Sequence, residues 1–261
     1  MARLTIFAKA NLDVRDTLHS LRLNGKVVWN GINEVVRERF PGTLVRLRHE
    51  TCERSDLLRS ADGVVPDDLA GRSLPLGAHP PAAQFSDALY AGEADALVLS
   101  IQPEIMTRLM THRSLDYAFC AFDAGAWRAE DRAWLKSAFV EGPLLTPEES
   151  MDHLAAVIER VRRASDAPIL IYNMSSIVPG EGVHCHLGLE NLLSTRIKAF
   201  NLALIGLSQR TGISIIDVDA IIARAGADRM KFDTQHLTPE ACRLVAEEVV
   251  RVLEDLDLLS P

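Results

Sequence analysis

The sequence predicts a doubly wound α/β fold, with five short parallel strands in one sheet and helices on both faces. Three observations carry this expectation. Leu4–Ala8, Thr43–Leu47, Ala96–Ser100, Pro168–Tyr172 and Ile213–Val218 are short, nearly continuous apolar runs, the pattern of strands covered on both sides. Helical patterns separate the runs, and strand–helix alternation belongs to a parallel sheet. The long helices also begin and end on residues suited to capping.

In chain order, the stretch Asn11–Asn24 has no clean helical period and reads as a solvated loop whose Asp13, Asp16 and His19 are placed to line a cleft. Helical patterns follow at Asn30–Arg39, Asp56–Arg59 and Phe85–Ala91, and Ala61–Ala83 is a long loop rich in Pro and Gly. Residues 113–145 carry Tyr117, Trp127, Trp134 and three phenylalanines. This aromatic-rich insertion either packs as a side core or covers a site. The next helix, Glu148–Ala164, opens on Thr146-Pro147-Glu148-Glu149, a capping box with proline at the first helical position. Leu189–Arg210 stops before Gly212, as a helix stops at a glycine. Val218–Ala225 and Pro239–Leu256 complete the set, the last starting on Thr238-Pro239. No internal repeat or linker divides the chain, so one domain is expected over residues 1–261.

Composition narrows the function. Of 261 residues, 48 % are apolar and 25 % charged, the balance of an ordinary globule with a sizeable core. The net charge of −8 argues against nucleic acid or an anionic membrane as partner. Arg37, Arg39, Arg46 and Arg48 are interleaved with Glu34, Glu38 and Glu50 and form no basic stripe. No apolar run approaches the roughly 20 residues that span a bilayer, and the amino end does not read as a signal peptide. Cys52, Cys120, Cys185 and Cys242 lie far apart without CxxC spacing, which gives neither a zinc knuckle nor a disulfide framework. A cytoplasmic protein acting on a small molecule, with no cofactor and no resident metal, is the expectation.

In a doubly wound sheet ligands sit beyond the carboxyl ends of the strands, and every such end here is polar. The first leads into Lys9-Ala10-Asn11-Leu12, the second into Glu50-Thr51-Cys52, the third into Ser100-Ile101-Gln102, the fourth into Asn173 and Ser175-Ser176. Asp217 and Asp219 follow the fifth and read as helix caps. Just ahead of the last helix stands Asp233-Thr234-Gln235-His236-Leu237-Thr238-Pro239-Glu240. A neutral imidazole takes up and returns a proton near neutrality, and a carboxylate beside it fixes the tautomer and stabilises the imidazolium.

On these residues the chain resembles the SGNH (GDSL-type) hydrolases. The resemblance spans nearly the whole element order, includes Trp29 and the helix after it, and rests on one specific motif, Asp233-x-x-His236 with Leu237-Thr238-Pro239 following. It implies a flavodoxin-like sandwich with Asp233 and His236 as acid and base. The family's other blocks are altered. Lys9-Ala10-Asn11-Leu12 falls on Gly-Asp-Ser-Leu, so Asn11 occupies the nucleophile's position. No glycine follows the second strand, where Glu50 or Thr51 stands nearest, and Gln102 replaces the asparagine of the third block. A carboxamide nitrogen is not a nucleophile, which excludes an acyl-enzyme on residue 11.

Several routes around that substitution stay open. His236 can activate water or a second substrate, with Asn11 and Gln102 as amide donors to the electrophile. Cys52, Ser20, Ser55, Ser175, Ser176 or Cys185 can supply another nucleophile. Lys9 can act as base or carbonyl partner. His184 and His186 point the same way in an extended segment and are candidates for substrate contact or, with a third ligand, for a metal. Lys9, Glu50, Thr51, Cys52, Asn173, His184 and His186 are thus the substrate-binding candidates. The expected activity is on an ester, acyl or related carbonyl group of a small metabolite; the alternatives are an inactive ligand-binding domain and a transferase or metal-assisted enzyme built on the His184/His186 loop.

Overall fold

The computed structural model describes residues 2–51, 54–181 and 192–260. Its centre is a five-stranded parallel sheet. In chain order the strands are Ala2–Ala10, Thr43–Thr51, Ala96–Ser100, Ile169–Tyr172 and Ser214–Ile216. In space they run second, first, third, fourth, fifth. The chain therefore changes direction between the first and third strands, and a crevice opens at their carboxyl ends.

The apolar runs divide between two cores because side chains alternate along a strand. Leu4, Ile6 and Ala8, with Ala96, Val98, Leu170, Tyr172 and Ile216, meet the helices Leu12–Leu18, Ile32–Arg39, Val218–Ala225 and Pro239–Asp255. Phe7, Leu97, Leu99, Ile169 and Ile171 face the other way, onto the helices Pro147–Arg162 and Leu193–Thr211. Burial on both faces explains why these strands read as continuous hydrophobic sequence.

The helix ends follow their sequence signals. Thr146 and Glu149 form the reciprocal capping box, Asp217 and Thr238 accept from Ala220 N and Ala241 N, and Gly212 closes its helix at φ 66°. Four regions differ from expectation. Ala61–Ala83, expected as a long loop, contains the short helices Asp67–Ala70 and Pro81–Gln84. Asn11–Asn24 is not a loop throughout: Leu12–Leu18 is a helix that buries Val14, Thr17 and Leu18. It is under two turns long, too short to show a period. Next comes a hairpin, Leu21–Leu23 with Lys26–Trp29, turning on Asn24 (φ 50°) and Gly25 (φ 79°). Two consecutive left-handed residues make the turn that suits strand twist, and Asn-Gly is its preferred sequence. Finally, of Phe85–Ala91 only Ala88–Tyr90 forms a single 3₁₀ turn.

The aromatic stretch builds a satellite core. Met110–His112 pairs antiparallel with Ala118–Phe119 and with Phe139–Glu141. Phe119, Trp127 and Phe139 pack there with Leu69 and Leu76 from the preceding long segment. The Phe139 ring lies 5.1 Å from Phe119 and 5.0 Å from Trp134, within the range of edge-to-face contact.

Candidate functional site

The Asp233–His236 turn is held by its own backbone. Lys231 bridges antiparallel to Leu237, Phe232 N donates to the His236 carbonyl at 3.0 Å, and Thr238 N donates to Met230 at 3.0 Å. Asp233 Oδ1 accepts from the N–H groups of Gln235 and His236 at 2.7 and 2.8 Å. The His236 ring meets the same carboxylate, Nδ1 standing 2.8 Å from Oδ2. Partial burial pushes the Asp233 carboxyl up, but the hydrogen bonds from His236 and Gln235 outweigh it and hold the group below its ordinary range. A deprotonated Asp233 fixes the proton on Nδ1, which leaves Nε2 as the basic nitrogen. Among the described residues none hydrogen-bonds to Nε2, and the ring is 39 % exposed, so an incoming molecule can reach it.

Across the crevice, Asn11 caps the helix Leu12–Leu18, its Oδ1 accepting from Leu12 N at 2.8 Å. Asparagine is among the best residues for that duty. The amide N–H groups of Asn11 donate to no group among the described residues and are left to contact a ligand. Two residues on, Asp13 reaches the third strand, where its Oδ2 accepts from the Ser100 hydroxyl. Ser100 Oγ also accepts from Gln102 N at 3.0 Å, and Gln102 Nε2 donates to the Gln235 carbonyl at 3.3 Å. A chain of hydrogen bonds thus runs from the first helix, over the third strand, to the histidine turn. Gln102 was expected to point its amide at substrate; the structure spends one of its two amide hydrogens on holding that turn.

Asp13, Gln102, Tyr172, Asn173, Ser175, Lys231, Thr234 and Gln235 surround a cavity of about 20 Å³ of water-accessible volume. Burial pushes the Asp13 carboxyl up to about 6, against the opposing bond from Ser100 and helped by the nearby Asp16. Lys231 is buried, donates to the Ile177 carbonyl at 2.5 Å, and is pulled down to about 8 by burial, with Asp219 and Asp233 opposing. Sequence reading places Asp13 at the cleft, though on a loop where the structure has a helix, and it misses Lys231, whose partners lie far along the chain.

The remaining candidates take structural places. Lys9 has a fully buried ammonium, which donates to Glu50 Oε2 at 2.7 Å and to the Ala83 carbonyl at 2.5 Å. The strand register puts Lys9 beside Glu50 and Ala10 beside Thr51. Asn173 lines the cavity, yet its Nδ2 donates to Asp217 Oδ1 at 2.7 Å and its Oδ1 accepts from Asp219 N at 3.0 Å, tying the fourth and fifth strands together. Ser55 is buried, its hydroxyl held 2.9 Å from Glu104. Cys52, His184 and His186 lie outside the described residues. Among the described residues no three His, Cys, Asp or Glu side chains gather as a metal site, and no helix is long and apolar enough to cross a membrane.

A pair of imidazoles also escaped sequence reading. His49 Nε2 donates to the Ala10 carbonyl at 3.0 Å, with the His19 ring 5.4 Å away. Burial lowers both, His49 to about 4, so they stay neutral where His236 would work.

No family model and no curated protein matches this sequence. Solved structures do. A lipase/acylhydrolase from Enterococcus faecalis aligns at TM-score 0.54 and 9 % identity, over 100 % of this chain and 98 % of that one. An alpha/beta hydrolase enzyme from the Lake Arreo metagenome gives 0.53 at 14 %, covering 98 % of each. The acetyl xylan esterase AlAXEase gives 0.53 at 10 %, over 96 % of this chain and 100 % of that one. The chain thus shares the fold of these hydrolases, a five-stranded parallel sheet between helices.

Proposed function

We propose that this protein is a hydrolase of an ester or related acyl group of a small metabolite, with His236 as general base and water in place of a serine nucleophile. The observation that carries this reading is the grip of Asp233 on His236 Nδ1 at 2.8 Å, which leaves Nε2 basic and accessible. The hydrolase fold of the structural neighbours supports it. Asn11 supports the choice of water, since residue 11 cannot form an acyl-enzyme.

The steps balance without another group. Water oxygen attacks the carbonyl carbon while one of its protons passes to Nε2. The imidazolium is stabilised by Asp233, and the oxyanion by the spare amide hydrogens of Asn11 and Gln102. The intermediate then collapses, and the leaving oxygen takes the proton back from Nε2. Turnover of p-nitrophenyl acetate tests the reading. His236→Ala is expected to lower kcat/KM by about 10³-fold, within the usual range for general acid–base groups. Unchanged turnover in that variant sinks it, and a wild-type protein that turns over no ester while binding a small ligand is a binding domain instead.

A further inference from the structure

The cavity of about 20 Å³ beside the histidine turn is too small for a metabolite, so an ester that meets His236 must lie on the outer face of the turn. Backbone register decides which side chains share that face. Phe232 N donates to the His236 carbonyl and Thr238 N to the Met230 carbonyl, each at 3.0 Å, on either side of the Lys231–Leu237 bridge. That alternation is the antiparallel pattern. Phe232 therefore stands directly opposite His236, and residues so paired project from one face with Cβ atoms about 4.5–5.5 Å apart. Burial follows the register. Lys231 and Leu237 turn inward and are buried, whereas Phe232 is 56 % exposed beside the exposed His236 ring.

Among the described residues, nothing in the fold uses that phenyl ring. Phe232 belongs to none of the apolar cores, and it meets no other ring and no cation there. Met106, another exposed apolar side chain at the turn, is engaged by contrast, its Sδ standing 3.5 Å from Gln235 Nε2. Single exposed apolar residues are ordinary on a protein surface. This one is set apart by its place against the imidazole.

We propose that Phe232 is a specificity-determining residue, an apolar bed for the alcohol portion of the ester substrate. The proposal rests on the reading of His236 as the base. In that reading Nε2 hands its proton to the leaving oxygen and stands within hydrogen-bond reach of it, about 2.6–3.2 Å. The first carbons of the leaving alcohol then lie beside the imidazole, and the apolar surface beside the imidazole on that face is Phe232. The substrate class that fits is an ester of an apolar alcohol, whose chain covers the phenyl ring and leaves water. Phe232 takes no part in making or breaking bonds. The acyl group, on the other side of the carbonyl carbon, gains nothing from it.

The test is hydrolysis of ethyl acetate, hexyl acetate and ethyl hexanoate, followed by pH-stat, in the wild type, Phe232→Ala and His236→Ala. The two alcohols leave with similar ease, so the hexyl-to-ethyl ratio of kcat/KM reports contact with the chain. The wild type is expected to favour hexyl acetate over ethyl acetate by about tenfold, the lower end of what a methylene is worth in a hydrophobic pocket. Phe232→Ala is expected to bring that ratio within about twofold of unity, chiefly through KM. Turnover of ethyl acetate and of ethyl hexanoate should stay within about twofold of the wild type. A hexyl preference that survives in Phe232→Ala, one that the wild type lacks, or a loss that falls equally on ethyl hexanoate overturns this inference alone. An active His236→Ala, or a wild type that hydrolyses none of the three esters, overturns the underlying reading. Should Phe232→Ala fail to fold, Phe232→Gln, which is polar and suits an exposed turn, is held to the same outcomes.

Discussion

The histidine turn and the Asp13 cavity lie side by side but are built in opposite ways. Asp233 and His236 stand three residues apart, satisfy each other within one exposed turn, and keep their geometry by backbone bonds inside that turn. Asp13, the Ser100–Gln102 segment and Lys231 come from three distant parts of the chain, and only the sheet order brings them together. The turn is cheap to build and easy to lose without harm to the fold. In the cavity, a polar group removed leaves another one buried and unpartnered. Chemistry and stability should therefore separate between the two.

The largest effect tests the first half of that contrast. His236→Ala should cost about 10³-fold in kcat/KM and Asp233→Asn about 10²-fold, while both stay within about 0.5 kcal/mol of wild-type stability by urea titration, as exposed substitutions do. A large stability loss in either would mean that the turn is part of the structural core.

Ser100→Ala probes the other half. It removes the donor to Asp13 Oδ2 and the acceptor of Gln102 N together, so a loss of about 2 kcal/mol is expected. A cost near zero would show that the chain of hydrogen bonds does not hold the crevice.

How far each region can be read from sequence follows the same division. The turn is legible because both partners fall within one motif, and the strands are legible because two-sided burial leaves continuous apolar runs. The Asp13–Ser100 contact spans 87 positions, and no local pattern encodes it. The helix Leu12–Leu18 hides because its buried residues, Val14, Asp16, Thr17 and Leu18, include only two apolar side chains. The hairpin is a different case, since Asn24-Gly25 between Leu21 and Trp29 is a strong turn signal and was available all along. Lys9 and Glu50 are the converse case: polar residues at a strand end read as substrate contacts, and the register sets a buried ammonium against a half-buried carboxylate.

A smaller effect sharpens the cavity's electrostatics. The Asp13 carboxyl sits at about 6 in the fold against an ordinary 3.8, so the folded state binds that proton more tightly than the unfolded one. Its contribution to stability is full below 3.8 and is lost as the pH rises through about 6. Urea midpoints of the wild type relative to Asp13→Asn should fall across that window and run parallel above it. A difference that instead grows with pH would give the shift the wrong sign.

The smallest expected effect is none at all, and it bears on whether a serine still acts anywhere in the crevice. Fluorophosphonate probes need a hydroxyl with a base beside it. Ser55 has its Oγ on Glu104, a carboxyl that also takes Ser55 N at 2.6 Å and Ser150 Oγ at 2.9 Å, and that burial pushes up to about 7. Locked in that knot, it is neither exposed nor aligned for attack. Ser175 is buried and accepts weakly from Ile177 N at 3.4 Å, and among the described residues no imidazole bonds to it. Intact-mass analysis after incubation with the probe should show unmodified protein. An adduct on Ser175 would shift the site from the exposed turn into the cavity, where Lys231 and Asp13 also line the walls, and would erase the division between a chemical region and a supporting one.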